Sequence, residues 1–294
     1  MALPDLPPFS LRKAEKEKLL NRHLNALSRY HYARCDAYRK IMDCAGFNVH
    51  KNHPYTDLIF LPVRLFKMME LRSCPQEKIV NALTSSGTSG QGKSMVYLDK
   101  ETAIRQAFVL TRIISSFIGT KRLPMIIVDS ENSLGHTGIM PANAAGILGF
   151  SILGSKKFFA LDDNAELNTG GLLRFTEDYG KGQILVFGFT YKIYRFLVAE
   201  LSEKRVHPDL SGAVLIHGGG WKRMEKEAVS REEFRQKLIR ACGIHKVHEY
   251  YGMAEQSGSI FMECEHGHLH ASLWSDVIIR RSLDFSVAER GEEG

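Results

Sequence analysis

The sequence predicts an α/β domain of stacked layers built on a largely parallel sheet, and three observations carry that expectation. First, Leu123–Asp129, Gln183–Gly188 and Ala213–Gly218 are continuous apolar runs, the character of strands covered on both faces. Second, helical patterns near Asn143–Leu148, Tyr191–Glu203 and Arg231–Ala241 lie between or after those runs. Third, the alternation of buried strand and helix is the pattern of βαβ units. Composition agrees: 294 residues at 44% hydrophobic and 24% charged are too apolar for a disordered chain, and a chain this long buries roughly three quarters of its unfolded surface.

In chain order, Ser10 to Cys44 reads as a helical hairpin. Leu19, Leu20, His23, Leu24, Leu27, Tyr30 and His31 recur three and four apart, with Ser10 as cap and Gly46 as terminator. Leu58–Val63 is extended, and Pro62 keeps it out of a central strand. Ile79–Leu83 leads into a Ser/Thr/Gly loop, Thr84–Lys93. Ser94–Leu98 then reads as a short strand, and Asp99 caps a helix over Lys100–Phe117. Near the end, His266–Trp274 and Asp276–Arg280 read as antiparallel strand material, and Ala288–Gly294 as a hairpin connection. The expected organisation is an N-terminal helical segment, 1–80, packed on a core, 81–294, in one large domain.

Several classes are excluded early. The 39 Lys+Arg against 33 Asp+Glu give +6, but Arg12, Lys13, Lys16 and Lys18 interleave with Glu15 and Glu17 as on a solvated helix face. No basic stripe with interleaved aromatics follows, so nucleic acid is not an expected partner. Five cysteines, an odd number without a secreted framework, together with an N-terminus unlike a signal peptide, predict a cytoplasmic chain. No apolar stretch approaches the ~18 residues of a membrane span. The oligomeric state is open.

The sharpest motif is Thr84-Ser85-Ser86-Gly87-Thr88-Ser89-Gly90-Gln91-Gly92-Lys93-Ser94. Gly87 to Ser94 spells a Walker A pattern, with Asp129 as a Walker B imitation. A Walker loop must open a helix at its Lys, whereas Met95-Val96-Tyr97-Leu98 is β-prone. The geometry expected is strand, loop, strand. Hydroxyls, glycines and one Lys without a large apolar side chain suit a phosphate clamp of another kind. A second motif, His217-Gly218-Gly219-Gly220-Trp221-Lys222, ends an apolar strand with room for a flat ligand. A third, Tyr251-Gly252-Met253-Ala254-Glu255, pairs an aromatic face with a carboxylate suited to magnesium.

In this order, and with Leu61–Lys67, Tyr97–Lys100 and Gly146–Ser151, the motifs resemble the adenylate-forming acyl-activating enzymes. The resemblance covers nearly the whole chain. It is closest to bacterial acyl-protein synthetases of the LuxE type, with phenylacetate-CoA ligases as cousins. It implies the layered N-terminal domain of that superfamily, ATP and Mg²⁺, and a carboxylic acid substrate of fatty acyl type. It also implies an acyl-adenylate intermediate and transfer to a protein thiol, the acyl group passing to an acceptor protein such as a reductase. By position, Thr84, Ser85, Ser86, Gly87, Thr88, Ser89, Gly90 and Lys93 would hold ATP phosphates. Gly218, Gly219, Gly220, Trp221, Tyr251 and Gly252 would border the adenine and the acyl carboxylate, with Tyr251 stacked on the base. Phe187, Phe189 and Tyr191 would line the acyl pocket. Glu255 would bind Mg²⁺ and, with Lys93, serve catalysis. Ala254 departs from the superfamily's Thr or Ser. Gly291–Gly294 resembles the start of a segment after which the superfamily carries a small C-terminal domain, implied to be missing here.

Cys264, His266, His268 and His270 would share one face of a strand, a zinc site by alternation. Two rival functions are a P-loop NTPase using Lys93, Ser94 and Asp129, and a degenerate homologue that binds acyl group or nucleotide without catalysis.

Overall fold

The computed structural model describes residues 5–85, 93–134, 139–256, 258–289 and 291–292. The chain enters helix α1 (Lys13–Arg34) after Pro7 and Pro8, and α2 (Asp36–Cys44) follows. Ser10 does not cap α1: its hydroxyl donates to the Pro7 carbonyl at 2.8 Å, and the Glu15 carboxylate instead accepts from the Arg12 N–H at 3.0 Å. Cys35, in extended conformation, separates the two helices. After a short α3 (Leu65–Met68), strands β1 (Ile79–Thr84) and β2 (Met95–Asp99) pair antiparallel, with Thr84 opposite Met95. Helix α4 (Lys100–Ile118) starts where the sequence predicts, the Asp99 carboxylate accepting from the Thr102 N–H at 2.8 Å.

The rest alternates: β3 (Leu123–Val128), β4 (Ile139–Pro141), α5 (Ala142–Ser151), β5 (Gly154–Phe159), α6 (Thr169–Tyr179), β6 (Ile184–Phe189). Next, α7 (Thr190–Lys192) runs into a π-helical stretch, Ile193–Glu200, and α8 (Leu201–Lys204). Strand β7 (Ala213–Gly218), α9 (Arg231–Cys242), β8 (Lys246–Tyr251), β9 (Phe261–Glu263) and β10 (Leu269–His270) complete the fold. The described strands form a seven-stranded sheet, β10-β9-β8-β7-β6-β3-β5, and a three-stranded one, β2-β1-β4. Strands β5, β3, β6, β7 and β8 are mutually parallel; β9 and β10 continue antiparallel.

Side-chain alternation splits the apolar runs between two cores. Ile126, Val128, Ile184, Val186 and Leu215 meet α6, the π-helical stretch and α9. Met125, Ile127, Leu185, Phe187 and Ile216 meet α4 and α5 on the other face. Both faces are covered, so a strand can be apolar at every position. Truncating a fully buried side chain such as Leu185 to Ala would cost about 2–5 kcal/mol. The parallel strands all finish at one edge, and a crevice forms there.

The N-terminal helices are tied to the far end of the chain. The Lys16 ammonium and the Tyr55 hydroxyl both reach Asp276, at 3.2 and 2.8 Å, and the Arg280 guanidinium donates to the Thr56 carbonyl at 2.6 Å. The strand material expected over His266–Trp274 shrinks to β10, and the remainder up to Arg280 contributes only an isolated bridge, Arg280 to Val287. No helix among the described residues is long and apolar enough to cross a membrane.

Candidate active site

The hydroxyl-rich loop joins β1 to β2, and a strand follows Lys93 rather than a helix. That geometry overturns the P-loop alternative. Asp129 is committed elsewhere: its side chain is 2% exposed, and the Lys192 ammonium lies 2.5 Å away. Of the loop, Ser86, Gly87, Thr88, Ser89 and Gly90 lie outside the described residues. At its base Thr84 is buried, the Ser85 N–H donates to the Ser94 carbonyl at 3.3 Å, and the Ser94 N–H donates to the Ser85 hydroxyl at 3.2 Å. These bonds close the hairpin and leave the Lys93 side chain exposed beside it.

The glycine run turns the chain back at the end of β7. Gly219 and Gly220 have φ of +79° and +64°, a region glycine enters freely. A Cβ on Gly218 would lie 2.5 Å from the Tyr250 carbonyl, so this glycine lets β8 approach. Just before it His217 is buried, and its Nδ1 is 2.9 Å from the Thr190 hydroxyl, which also lies 3.2 Å from the Gly218 carbonyl. Burial pushes the His217 imidazole down to about 4. It is therefore a neutral strut between strand ends.

Beside the turn opens a cavity of about 550 Å³, within the range of small-molecule sites. Its walls come from β1 and β2 (Asn81, Leu83, Leu98), from one face of α4 (Ala103, Gln106, Ala107, Leu110) and from one face of α5 (Ala142, Ala145, Gly146, Gly149). The small residues on α5 recur three and four apart, so a single helix face recedes. A Cβ on Gly149 would come within 2.9 Å of Leu110 Cδ2. The strand ends supply Phe189, Gly219, Lys222 and Tyr250, and the segment after β8 supplies Gly252, Ala254, Gln256 and Ile260. Two lining atoms, Gln106 Nε2 and Ser259 Oγ, are buried with no hydrogen-bond partner among the described residues.

The sequence-derived residues divide on this geometry. Gly219, Gly252 and Phe189 border the cavity. Phe187 does not: it is fully buried behind the wall, stacked on Phe150 at 4.2 Å. Trp221 faces the opposite core, edge-on to Tyr194 at 4.9 Å and Phe234 at 6.0 Å. Phe187 shares the strand face of Phe189 but lies deeper, whereas Trp221 turns to the other side, and sequence does not say how far along a strand, or on which side of a turn, the opening falls. Tyr191 lies under the Lys222 ammonium, 5.2 Å from its ring centroid. Tyr251 is half exposed and stacked on Phe261 with ring planes 8° apart. Its neighbour Tyr250, which sequence reasoning passed over, lines the cavity, and burial raises its phenol well above the usual range.

Glu255, on a short 3₁₀ turn over Ala254–Gln256, borders a second cavity, of about 320 Å³, with His31, Cys74, Tyr97 and Leu98. No hydrogen bond or ion pair joins its carboxylate to another described residue, which leaves its oxygens available to a cation.

The zinc expectation fails. Strand β9 ends at Glu263, and a tight turn follows, closed by the Cys264 N–H donating to the His268 carbonyl at 2.9 Å, with Gly267 at φ +79°. Cys264, His266, His268 and His270 thus share no strand face, and His270 packs against Phe9. Among the described residues no three His, Cys, Asp or Glu could hold a metal together. Instead the buried Glu263 carboxylate binds Arg231 and Arg235 at 2.5 and 3.2 Å and accepts from the Glu249 N–H at 3.1 Å. This network locks β9 and α9 to β8.

The family described as "Acyl-protein synthetase, LuxE" matches residues 3–294. A long-chain-fatty-acid–luciferin-component ligase of Vibrio harveyi is 24% identical over 266 residues, covering 86% of this chain and 67% of the relative. The ligase of the same name from Aliivibrio fischeri is 23% identical over 297 residues, covering 97% and 73%. Among solved structures, the open conformation of 2-hydroxyisobutyryl-CoA ligase in complex with 2-HIB-AMP and CoA superposes with a TM-score of 0.72 at 15% identity. That match covers 99% of this chain and 64% of the ligase, so the chain spans less than two thirds of that structure's length. Identity at that level speaks for the fold.

Proposed function

The chain belongs to the acyl-protein synthetase (LuxE) family, and on that premise we propose that it activates a fatty acid with ATP and passes the acyl group to a thiol. In the first step a carboxylate oxygen attacks the α-phosphorus. The new P–O bond gives an acyl-adenylate, and pyrophosphate leaves with the electrons of the broken bond. In the second step a thiolate attacks the acyl carbon, a thioester forms and AMP departs. The acceptor proposed is a protein thiol, from which a partner such as a reductase takes the acyl group.

The observation that carries this reading is the apolar cavity of about 550 Å³ at the carboxyl ends of β6, β7 and β8, the edge where open α/β sheets bind ligands. An acyl chain laid between α4 and α5 would bring its carboxylate to the glycine turn after β7. The curated relatives' names point to a long-chain acid. The hydroxyls and Lys93 of the β1–β2 loop would hold the phosphates, and Gly218 to Gly220 with Tyr251 and Gly252 would border the nucleotide. The Glu255 carboxylate, without a protein partner among the described residues, fits the single-carboxylate, phosphate-assisted sites magnesium takes. When bound there, the ion would neutralise phosphate charge. Five free cysteines support a cytoplasmic location.

The test is ATP–pyrophosphate exchange with the full chain and a panel of fatty and aryl acids. Exchange is expected to favour fatty acids, and Lys93→Ala and Glu255→Ala are each expected to lower it roughly 100-fold, as loss of one charge-stabilising group does. Absence of exchange with every acid overturns the reading. Full exchange in both variants overturns the residue roles.

A further inference from the structure

We propose that Lys222 is the residue that receives the substrate carboxylate, at the mouth of the apolar cavity; the assignment rests on the acid-activating function proposed above. Four observations converge. Lys222 lines the cavity beside Gly219 and Phe189. It is one of four non-glycine residues among those described with positive φ, at +49°, a conformation side chains avoid unless the surroundings impose it. Its ammonium sits 5.2 Å from the ring centroids of both Phe189 and Tyr191. No carboxylate among the described residues claims it: Asp129, whose charge it feels, is held by Lys192.

The turn explains the placement. After β7 the chain passes through Gly219 and Gly220, both at positive φ, and Lys222 repeats that handedness. A Cβ on Gly219 would lie 2.9 Å from the Phe189 ring, so glycine there lets the turn sit on the end of β6. Lys222 then folds back over the two aromatic faces. Aromatic quadrupoles hold a cation without neutralising it, and the charge stays free for an anion. Partial burial, and then the nearby Lys192 charge, lower the ammonium's pKa from the usual lysine value; a carboxylate beside the ammonium offsets both by opposite charge. A charge-assisted hydrogen bond to the acid would fix the polar end of the chain while α4 and α5 take its apolar body.

A lysine that merely covers two rings would stabilise the turn and be indifferent to the ligand's charge. The test therefore compares decanoate with decanol, equal in chain and different in charge, by titration calorimetry on the full chain. Lys222→Met is expected to weaken decanoate by about tenfold or more, the worth of a hydrogen bond to a charged group, and to leave decanol unchanged. Lys222→Arg is expected to retain the preference for the acid. Undiminished decanoate affinity in Lys222→Met, or equal weakening of both ligands, overturns the assignment and leaves the acid-activating reading standing. A wild-type chain that binds neither ligand removes that reading, and the assignment with it.

Discussion

Replacing His217 with glutamine should flatten the acid limb of the stability profile. The imidazole is 5% exposed, 2.9 Å from the Thr190 hydroxyl, with the Phe234 ring 4.9 Å from its centroid. Burial takes its pKa from 6.5 to about 4. In the fold the ring stays neutral from pH 7 down towards 4, whereas in the unfolded chain it gains a proton below 6.5. The unfolded state then binds more protons, so stability is complete above 6.5 and is lost as pH falls towards 4. At 1.36 kcal/mol per pKa unit, the full loss is about 3 kcal/mol, of which about 2 kcal/mol falls between pH 6.5 and 5. Urea unfolding at pH 7 and pH 5, at fixed ionic strength, measures it in wild type and in His217→Gln. The wild type should lose about 2 kcal/mol more than the variant over that interval. Equal losses would mean that His217 is protonated in the fold, and the neutral-strut argument would fall.

Gly146→Ala should raise the melting temperature by about 2 °C, since alanine is better in a helix interior by about 1 kcal/mol and its Cβ would meet the Phe189 ring at 3.6 Å, an ordinary contact. On the proposed function it should also shorten the longest acid that supports exchange, and an unchanged chain-length profile would place the acyl chain elsewhere. Glu263→Ala should cost about 3 kcal/mol by unfolding, because it strips the buried carboxylate from Arg231, Arg235 and the Glu249 N–H. Loss below 1 kcal/mol would show that the two guanidiniums are satisfied by solvent.

The parallel strands were legible because burial on both faces leaves an unbroken apolar signature, as in Ile184–Phe189. The edge strand β5 was not: Ser155, Lys156 and Lys157 are exposed in succession, and nothing in such a run marks pairing with β3. Helix α6 opens on Gly170 and Gly171, poor helix formers that hide its start, although the Asn168 side chain caps it at 2.9 Å. At the site, glycines and hydroxyls located the turn and the hairpin, but not which neighbour faces the cavity. Trp221 was misplaced for that reason; Phe187 shares the face of Phe189 but lies one step deeper, covered by Phe150, and Tyr250 and Lys222 were passed over. The Cys264–His270 alternation looked like a strand because Gly267, which breaks it, fits either reading in sequence.

Leu98 is 3% exposed and borders both the 550 Å³ and the 320 Å³ cavities. The turn over Ala254–Gln256 repeats that arrangement, with Ala254 and Gln256 on the larger space and Glu255 on the smaller. The two chambers thus adjoin along β2 and this turn. A substitution at Leu98 therefore touches the lining of both, the chamber proposed for the acyl chain and the one that Glu255 borders, so the two sites are not independent targets for mutation.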